Sequence, residues 1–224
     1  TNNASKYKFH LIELDVNHDD SVNHAIEKVL ENEGRIDVLI NNAGFAIAPA
    51  GAEESSMQQA QAIFDTNFFG VVRMTRAVLP VMREQKSGLI LNISSILGLL
   101  PTPFGALYSA SKHALEGYSE SLDHELRTQG IRVSLIEPAY TKTSLGINLL
   151  EADAKVSAYD HIREKLHQQM IKSINKSGSP DVVAQTILKV INSPQILSRY
   201  TAGKTAKRLK NLRRFAPVNL FDTL

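Results

Sequence analysis

The sequence predicts an α/β domain built on a doubly wound parallel sheet, and three observations support this. Short apolar runs alternate with longer amphipathic stretches, as strands and helices do when they take turns along a chain. The apolar runs are hydrophobic at nearly every position, which is typical of strands covered on both faces. The 224 residues supply enough material for one such core, and no linker or internal repeat divides them. We therefore predict a single three-layer domain over 1–224.

Apolar spacing predicts the elements, and turn residues mark their ends. Strands are predicted over Phe9–Leu14, Ile36–Ile40, Leu89–Ile93 and Ile131–Ile136, and helices over about 22–33, 56–82, 107–129, 160–174 and 180–192. Asp19 and Ser21 are candidate caps of the first helix, and Gly34 and Gly130 fit the positions behind two helix ends. Ser179-Pro180 predicts an N-cap followed by proline at the first helical position.

The composition excludes several kinds of protein. With 25 Lys+Arg against 23 Asp+Glu, the formal charge is +2, so the overall field gives no reason to expect a nucleic-acid partner. The absence of cysteine excludes a disulfide scaffold, a thiolate nucleophile and a thiolate metal site, and it fits a reducing cytoplasm. The first residues show no signal-peptide core, and no window holds the ~18 uninterrupted apolar residues of a spanning helix. We expect a cytoplasmic protein without an integral membrane segment.

Two regions allow more than one interpretation. The polar stretch over about 140–178 is less regular than the rest and is placed where a mobile lid over a substrate could lie. The segment Arg199–Arg214 holds seven Lys or Arg and no acid. This basic segment fits a solvated helix face, and it also fits a surface that meets phosphate or lipid.

Small and polar residues collect where the predicted strands end. They are Asp15, Asn41–Gly44, Ser94-Ser95 and the stretch 138–143. Because ligands of open α/β sheets bind beyond the carboxyl ends of the strands, we place the site at this edge.

Tyr108 and Lys112 form the sharpest candidate for chemistry. Four residues apart on a helix, they share one face one turn apart. A tyrosine with a pKa near ~10 is a poor proton shuttle at neutral pH, and a neighbouring cation favours the phenolate. The pair alone is common by chance, but Ser95 ends a strand shortly before it, and Asn67 lies mid-helix between apolar neighbours without a propensity reason.

Asn41-Asn42-Ala43-Gly44 after an apolar strand, Asn67 in the next helix, Ser95 after the following strand and Tyr108-x-x-x-Lys112 form an ordered set. From about Leu11 to Thr143 this set resembles the short-chain dehydrogenase/reductase family, and the final third follows more loosely. The stretch from Ser94 to Lys112, with Gly117 and Glu137-Pro138, is similar to the hydroxysteroid- and retinol-type branch. The resemblance implies a Rossmann-like fold and an NAD(P)-dependent oxidoreductase that transfers a hydride between a nicotinamide and a carbonyl or secondary alcohol.

The resemblance also implies a role for each matching residue. Tyr108 would be the general acid/base, Lys112 would lower its pKa and bind the nicotinamide ribose, Ser95 would hold the substrate oxygen, and Asn67 would anchor a water. Asp15 would bind the adenine amino group. The implied cofactor-binding residues are Asp15, Val16, Asn41, Ala43, Gly44, Tyr108, Lys112, Pro138, Thr141 and Thr143. The implied cofactor is NADP or NAD, with NADP slightly favoured.

The sequence departs from the family pattern at two places. No glycine occurs before Gly34, so the family's TGxxxGxG turn and the first two strands of its sheet are missing from the chain. Without those strands Phe9–Leu14 would lack a neighbour, so we expect about fifty further residues before Thr1. Ala139 stands where the family usually has glycine, and its methyl group is tolerated if φ is negative.

A rival hypothesis is a dehydrogenase-like binding or scaffold protein, which the missing glycine-rich turn alone supports. Metal catalysis is not expected, because the seven histidines form no HExxH and no pair sits one helical turn apart. The expected partner is a small carbonyl or alcohol. In the family the two long helices also pack against a second subunit, so the resemblance implies a homodimer or homotetramer.

Overall fold

The computed structural model describes residues 10–142 and 149–215, within which four strands form one parallel sheet. The strands are β1 (Val38–Asn41), β2 (Gly88–Ile93), β3 (Ile131–Pro138) and β4 (Arg199–Ala202), in the spatial order β1-β2-β3-β4. The helices are α1 (Asp19–Glu33), α2 (Met57–Phe64), α3 (Gly70–Gln85), α4 (Ala106–Leu126), α5 (Asp160–Lys176), α6 (Asp181–Ile191) and α7 (Lys204–Phe215). Because all pairings are parallel, the carboxyl ends of the strands meet at one edge.

Helices cover both faces of this sheet, which confirms the predicted doubly wound architecture. On one face, α1, α3 and α4 pack their apolar stripes on alternate strand residues such as Ile90 and Val133. On the other face, α6 packs Val190 against Leu89, Leu91 and Ile136. Alternation along β2 thus sends Leu89 and Leu91 to one layer and Ile90 to the other, and all three are buried.

The predicted strand Phe9–Leu14 is wrong for the residues that the structure describes. Positions 10–14 form no strand, and the side chain of Leu11 is 97% exposed. Among the described residues the sheet ends at β1 on one side and at β4 on the other, and neither strand pairs with this segment. An alternating sequence needs such a neighbour before it becomes a strand, because its backbone hydrogen bonds come from another segment.

Two predicted helix starts also differ in detail. α1 begins at Asp19 with His18 as a cap that makes no side-chain bond, and the Ser21 hydroxyl instead accepts a hydrogen bond from Asp15 N at 2.9 Å. α6 begins at Asp181, whose N–H donates to the Ser179 hydroxyl at 3.2 Å, so the serine acts one residue further from the helix than predicted.

The helix predicted over 56–82 is continuous but contains a wider turn. α2 passes into a π segment, Asp65–Phe69, which passes directly into α3. Ser56 caps its start by accepting a hydrogen bond from Gln59 N at 3.1 Å. Such π turns are frequent at functional sites. Asn67 is the middle residue of this segment.

Gly130 is expected to be the glycine least tolerant of substitution along this sheet. It has φ +77°, and an added Cβ would lie 2.1 Å from Lys86 O. We expect Gly130→Ala to lower the free energy of unfolding by about 2 kcal/mol, measured by urea denaturation. Gly117→Ala is the control: nothing lies within 4 Å of its added Cβ on α4, so that variant should be equally or more stable. Equal stability of both variants would contradict the prediction that Gly130 does not tolerate a side chain.

The basic segment divides into a strand and a helix, β4 and α7. Arg199 and Lys210 face the buried Glu137, at 3.0 Å from its Oε1 and 3.7 Å from its Oε2 respectively. Lys204, Lys207 and Arg208 are exposed. Arg199 and Lys210 thus neutralise a buried carboxylate. A role of the exposed cations in binding phosphate or lipid stays a prediction.

In the described part of the chain no helix has the length and apolar content needed to cross a bilayer.

Candidate active site

Three predicted site residues come together below the carboxyl edge of the sheet, around Gly44. A Cβ added at Gly44 would lie 3.0 Å from Asn67 Oδ1 and 3.8 Å from Lys112 Nζ. Gly44 therefore lets the loop after β1 approach both side chains closely. The π segment supplies Asn67 and α4 supplies Lys112, so two helices and one strand end meet at this point.

The Asn67 side chain is fully buried and clamps the loop after β1. Its Oδ1 accepts a hydrogen bond from Phe45 N at 3.0 Å, and its Nδ2 donates to Phe45 O at 3.0 Å and to Ser111 Oγ at 3.2 Å. Both amide protons are thereby used within the protein. Only the second lone pair of Oδ1 therefore remains for the predicted hydrogen bond with a water molecule.

Lys112 lies one helical turn beyond Tyr108, with Nζ 5.8 Å from the centre of the tyrosine ring. Its Nζ donates a hydrogen bond to Ile93 O, the last residue of β2, at 2.9 Å. Burial lowers the pKa of Lys112 to about 8, and the charge of Glu116 opposes this effect. A buried lysine is therefore held at the end of the sheet, close to the point where it can lose its charge.

Tyr108 lies half-buried between Lys112 and Ser95. Burial raises its pKa, a hydrogen-bonding interaction with the Ser95 side chain opposes that increase, and Tyr140 adds to it. The sequence predicts that Lys112 lowers the pKa of Tyr108. In the structure burial has the larger effect, and the pKa of Tyr108 is raised. At neutral pH the Tyr108 hydroxyl carries its proton and can act as a donor.

Ser95 is the nearly buried serine that faces Tyr108. It caps a short 3₁₀ turn, Ile96–Gly98, and its Oγ accepts a hydrogen bond from Leu97 N at 3.1 Å. Its own hydroxyl proton remains available to a substrate oxygen. The neighbouring Ser94 turns towards Glu116, so the structure separates two serines that are adjacent in sequence.

The residues predicted to hold the adenosine side lie in two places, before α1 and at the end of β1. Asp15 is exposed and accepts a hydrogen bond from Asn17 N on its Oδ1 at 2.9 Å, while Val16 packs against Gly70. Ala43 is exposed. Asn41 is buried, and its Nδ2 donates to Asn92 Oδ1 at 2.8 Å, so its side chain joins β1 to β2.

The end of β3 supplies the remaining predicted residues. Pro138 is the last residue of the strand, and Thr141 follows in a loop whose Lys142 N donates to Gly178 O at 3.2 Å. Ala139 is not among the described residues with positive φ, so its methyl group causes no backbone strain. Thr143 lies outside the described residues.

Beside Tyr108 a small cleft has mostly apolar walls. Its lining includes Ile47, Ala48, Phe104 and Leu107. The Phe104 ring contacts the Tyr159 ring edge to face, with centroids 5.7 Å apart. Leu150 bridges to Ile47, and Asp153 accepts hydrogen bonds from Ser56. Leu150 and Asp153, from the predicted lid region, are thus held against the loop after β1 and the start of α2, and a role of this region as a lid stays a prediction.

Two buried residues of this region, Ser111 and Glu116, were not predicted from the sequence. Ser111 receives the Asn67 hydrogen bond and donates its own to Tyr108 O at 2.8 Å, so it links the π segment to α4. Glu116 lies one turn beyond Lys112 and is 5% exposed. The spacing of four residues between Lys112 and Glu116 could have indicated from the sequence that Glu116 belongs to this region.

Within 10–142 and 149–215, no three His, Asp or Glu side chains form a cluster that could hold a metal.

Comparison with known proteins identifies the family. The family model for short chain dehydrogenase matches residues 1–154, more than half of the chain. The chain belongs to the short-chain dehydrogenase/reductase family. Its members are oxidoreductases that use nicotinamide cofactors, so the predicted family, the Rossmann-like fold and the type of cofactor are confirmed.

Two relatives illustrate the similarity. An uncharacterized oxidoreductase of Schizosaccharomyces pombe is 35% identical over 191 residues, which cover 85% of this chain and 80% of the relative. Retinol dehydrogenase 8 of Homo sapiens is 37% identical over 222 residues, covering 95% of this chain and 67% of the relative. The second agrees with the similarity to the retinol-type branch.

Three solved structures share the fold. A short-chain dehydrogenase from Streptomyces avermitilis superposes with a TM-score of 0.76 at 33% identity, covering 89% of this chain and 72% of its own. A short-chain dehydrogenase/reductase from Burkholderia phymatum, in complex with NAD, gives 0.75 at 26%, covering 91% and 74%. ElxO with NADP bound gives 0.69 at 28%, covering 84% and 74%. Both dinucleotides thus occur among the neighbours.

Proposed function

We propose that this protein is an NAD(P)-dependent oxidoreductase that interconverts the carbonyl and secondary-alcohol forms of a partly apolar substrate. The observation that carries the proposal is the meeting of Ser95, Tyr108 and Lys112 at the carboxyl edge of the sheet, where open α/β sheets bind ligands. The apolar lining beside Tyr108 favours a substrate with hydrocarbon next to its oxygen.

The residues present fit a nicotinamide cofactor. Lys112 is buried, and the hydrogen bond that its Nζ makes among the described residues is to Ile93 O. Two of its three ammonium protons therefore remain for a ligand such as a ribose hydroxyl. The bare backbone at Gly44 lets a flat or sugar-like group approach the same point. The cofactor, when bound, supplies or accepts the hydride.

The protein's own part is to hold and move a proton. In the direction of reduction, Ser95 would donate a hydrogen bond to the substrate oxygen and stabilise its developing charge. Tyr108, protonated at neutral pH, would give its phenolic proton to that oxygen. Lys112 would stabilise the phenolate that forms one helical turn away. In oxidation the same groups act in reverse, so higher pH favours removal of the alcohol proton.

The proposal is tested by following NADH and NADPH absorbance with a series of ketones and aldehydes of increasing hydrocarbon size. The full-length protein should turn over at least part of the series with one dinucleotide, and larger apolar members should have the lower KM. A protein that binds either dinucleotide but turns over no carbonyl or alcohol would favour the scaffold hypothesis instead.

Ser95→Ala should lower kcat/KM by about 10²-fold or more, because the hydroxyl stabilises charge that develops only during the reaction. Dinucleotide affinity, measured by fluorescence titration, should stay near that of the wild type. Ser109→Ala is the matched control, since Ser109 is also buried and follows Tyr108 directly on α4, but its Oγ lacks a hydrogen-bond partner among the described residues. Equal kcat/KM in both variants would remove Ser95 from the mechanism.

A further inference from the structure

A buried carboxylate lies one turn beyond Lys112 on α4. Glu116 is spaced four residues from Lys112 and eight from Tyr108, so the three side chains follow one face of the helix. The bare backbone of Gly98 makes room for it: an added Cβ there would lie 3.0 Å from Glu116 Oε1 and 2.8 Å from Ser94 Oγ. The fold therefore leaves space for this acid directly behind the lysine.

The cations around Glu116 are shared with other acids. Arg199 Nη1 lies 3.2 Å from Glu116 Oε2 and 3.0 Å from Glu137 Oε1, and the same guanidinium also pairs with Glu120. Lys210 lies 3.7 Å from Glu137 Oε2. Neither carboxylate oxygen of Glu116 has a hydrogen-bond partner of good geometry. One guanidinium is therefore shared among three carboxylates.

A second cation, Lys112, lies one turn before Glu116 on α4. Burial raises the pKa of Glu116 to about 7, with Ser94 and Arg199 opposing this and Glu137 and Glu120 adding to it. Burial lowers the pKa of Lys112 to about 8, and Glu116 opposes this. The Glu116 carboxylate thus favours the charged form of Lys112 in a place where neither group is fully solvated.

Resting on the proposed function, we infer that Glu116 is a positioning residue that keeps Lys112 in its ammonium form behind Tyr108. Its contribution depends on pH. Below about pH 7 Glu116 is largely protonated and contributes little, while Lys112 is charged without help. Above that pH the carboxylate charge supports the ammonium, and removing it lets Lys112 lose its proton at lower pH.

The test compares Glu116→Gln with Glu120→Gln in the full-length enzyme, from pH 6 to pH 9. Glu120 is the matched control because it lies one turn further on α4 and pairs with the same Arg199. The alkaline limb of kcat/KM in Glu116→Gln should move to lower pH by about half a unit to one unit, a threefold to tenfold loss above that limb. Near pH 6 its rate should match the wild type, and Glu120→Gln should keep the wild-type profile.

A second measurement needs neither cofactor nor substrate. Titration of ¹³C-labelled lysine Cε resonances by NMR gives the pKa of Lys112, whose resonance is assigned by its loss in Lys112→Met. That pKa should be lower in Glu116→Gln than in the wild type and in Glu120→Gln. An unchanged lysine pKa, or a rate loss equal at every pH, overturns the inference and makes Glu116 a packing residue. If no turnover occurs in the wild type, the proposed function fails while the titration still decides the coupling.

Discussion

Tyr108→Phe is expected to lower kcat by about 10² to 10⁴-fold, the usual contribution of a positioned proton donor. The change removes one oxygen from a half-buried ring and leaves its packing beside Ser95 and Lys112 in place. Dinucleotide affinity and thermal stability should therefore stay close to those of the wild type. The measurement is steady-state turnover of a substrate identified in the carbonyl series, together with fluorescence titration of the dinucleotide.

Tyr118→Phe provides the control for this loss. Tyr118 lies on the same helix, and its ring packs edge to face against Phe68 with centroids 5.8 Å apart. It loses the same hydroxyl at a distance from the site and should keep the wild-type kcat. Wild-type turnover in Tyr108→Phe would mean that the proton comes from elsewhere, and the mechanism would be wrong.

Asp123→Ala is expected to produce the largest loss of stability among single side-chain truncations considered, on the order of 3 kcal/mol. Asp123 is fully buried, and its carboxylate accepts hydrogen bonds from Arg127, Arg132 and Val133 N. Removing it leaves two guanidinium groups and a buried N–H without their partner at the junction of α4 and β3. Urea denaturation of wild type and variant measures the loss directly.

The pH dependence of this stabilisation has a definite sign. Burial alone would raise the pKa of Asp123, but the hydrogen bonds from Arg132, Val133 and Arg127 outweigh it and hold the pKa below its ordinary value of 3.8. The stabilisation is therefore fully present above the unfolded value and disappears as pH falls through the lower folded value. The difference in unfolding free energy between wild type and Asp123→Ala should shrink in that acidic range.

Asp37→Ala is the matched control for stability. Asp37 pairs with Arg35, but both side chains are more than half exposed, so its loss should cost less than about 1 kcal/mol. If Asp37→Ala and Asp123→Ala unfolded at the same urea concentration, the hydrogen bonds of the buried Asp123 would not stabilise the fold more than an exposed ion pair does.

Features that depend on local spacing were predictable from the sequence. The apolar runs located three of the four described strands, and the spacing of Tyr108 and Lys112 placed both on one face of a single helix. Gly34 and Gly130 were correctly placed behind helix ends, because both adopt positive φ. The helical spacing of apolar residues on the long helices also indicates which side chains are buried: Ile63, Val71, Met74, Val78, Leu115, Leu122 and Leu126.

Features that depend on a distant partner were not predictable. Residues 10–14 have the apolar content of a strand, but strand formation depends on a neighbour that the segment itself does not encode. Glu116 and Arg199 are 83 positions apart in sequence, and only the fold brings them within 3.2 Å. The π segment is similar, since its extra residue per turn is stabilised by the contact of Asn67 with Phe45 and Ser111.

The two ends of β1 are held differently, and this has a consequence for the motions of the site. Just before the strand the Gln85 side chain holds the backbone, since its Oε1 accepts from Ile36 N at 3.0 Å and its Nε2 donates to Ile36 O at 2.9 Å. At the other end, among the described residues, only the β2 side of Asn41 is covered by a strand. Amide hydrogen exchange should therefore be slow near Ile36 and faster towards Gly44. A ligand that orders this loop would slow amide exchange there. Ligands of higher affinity should therefore give greater protection of these amides.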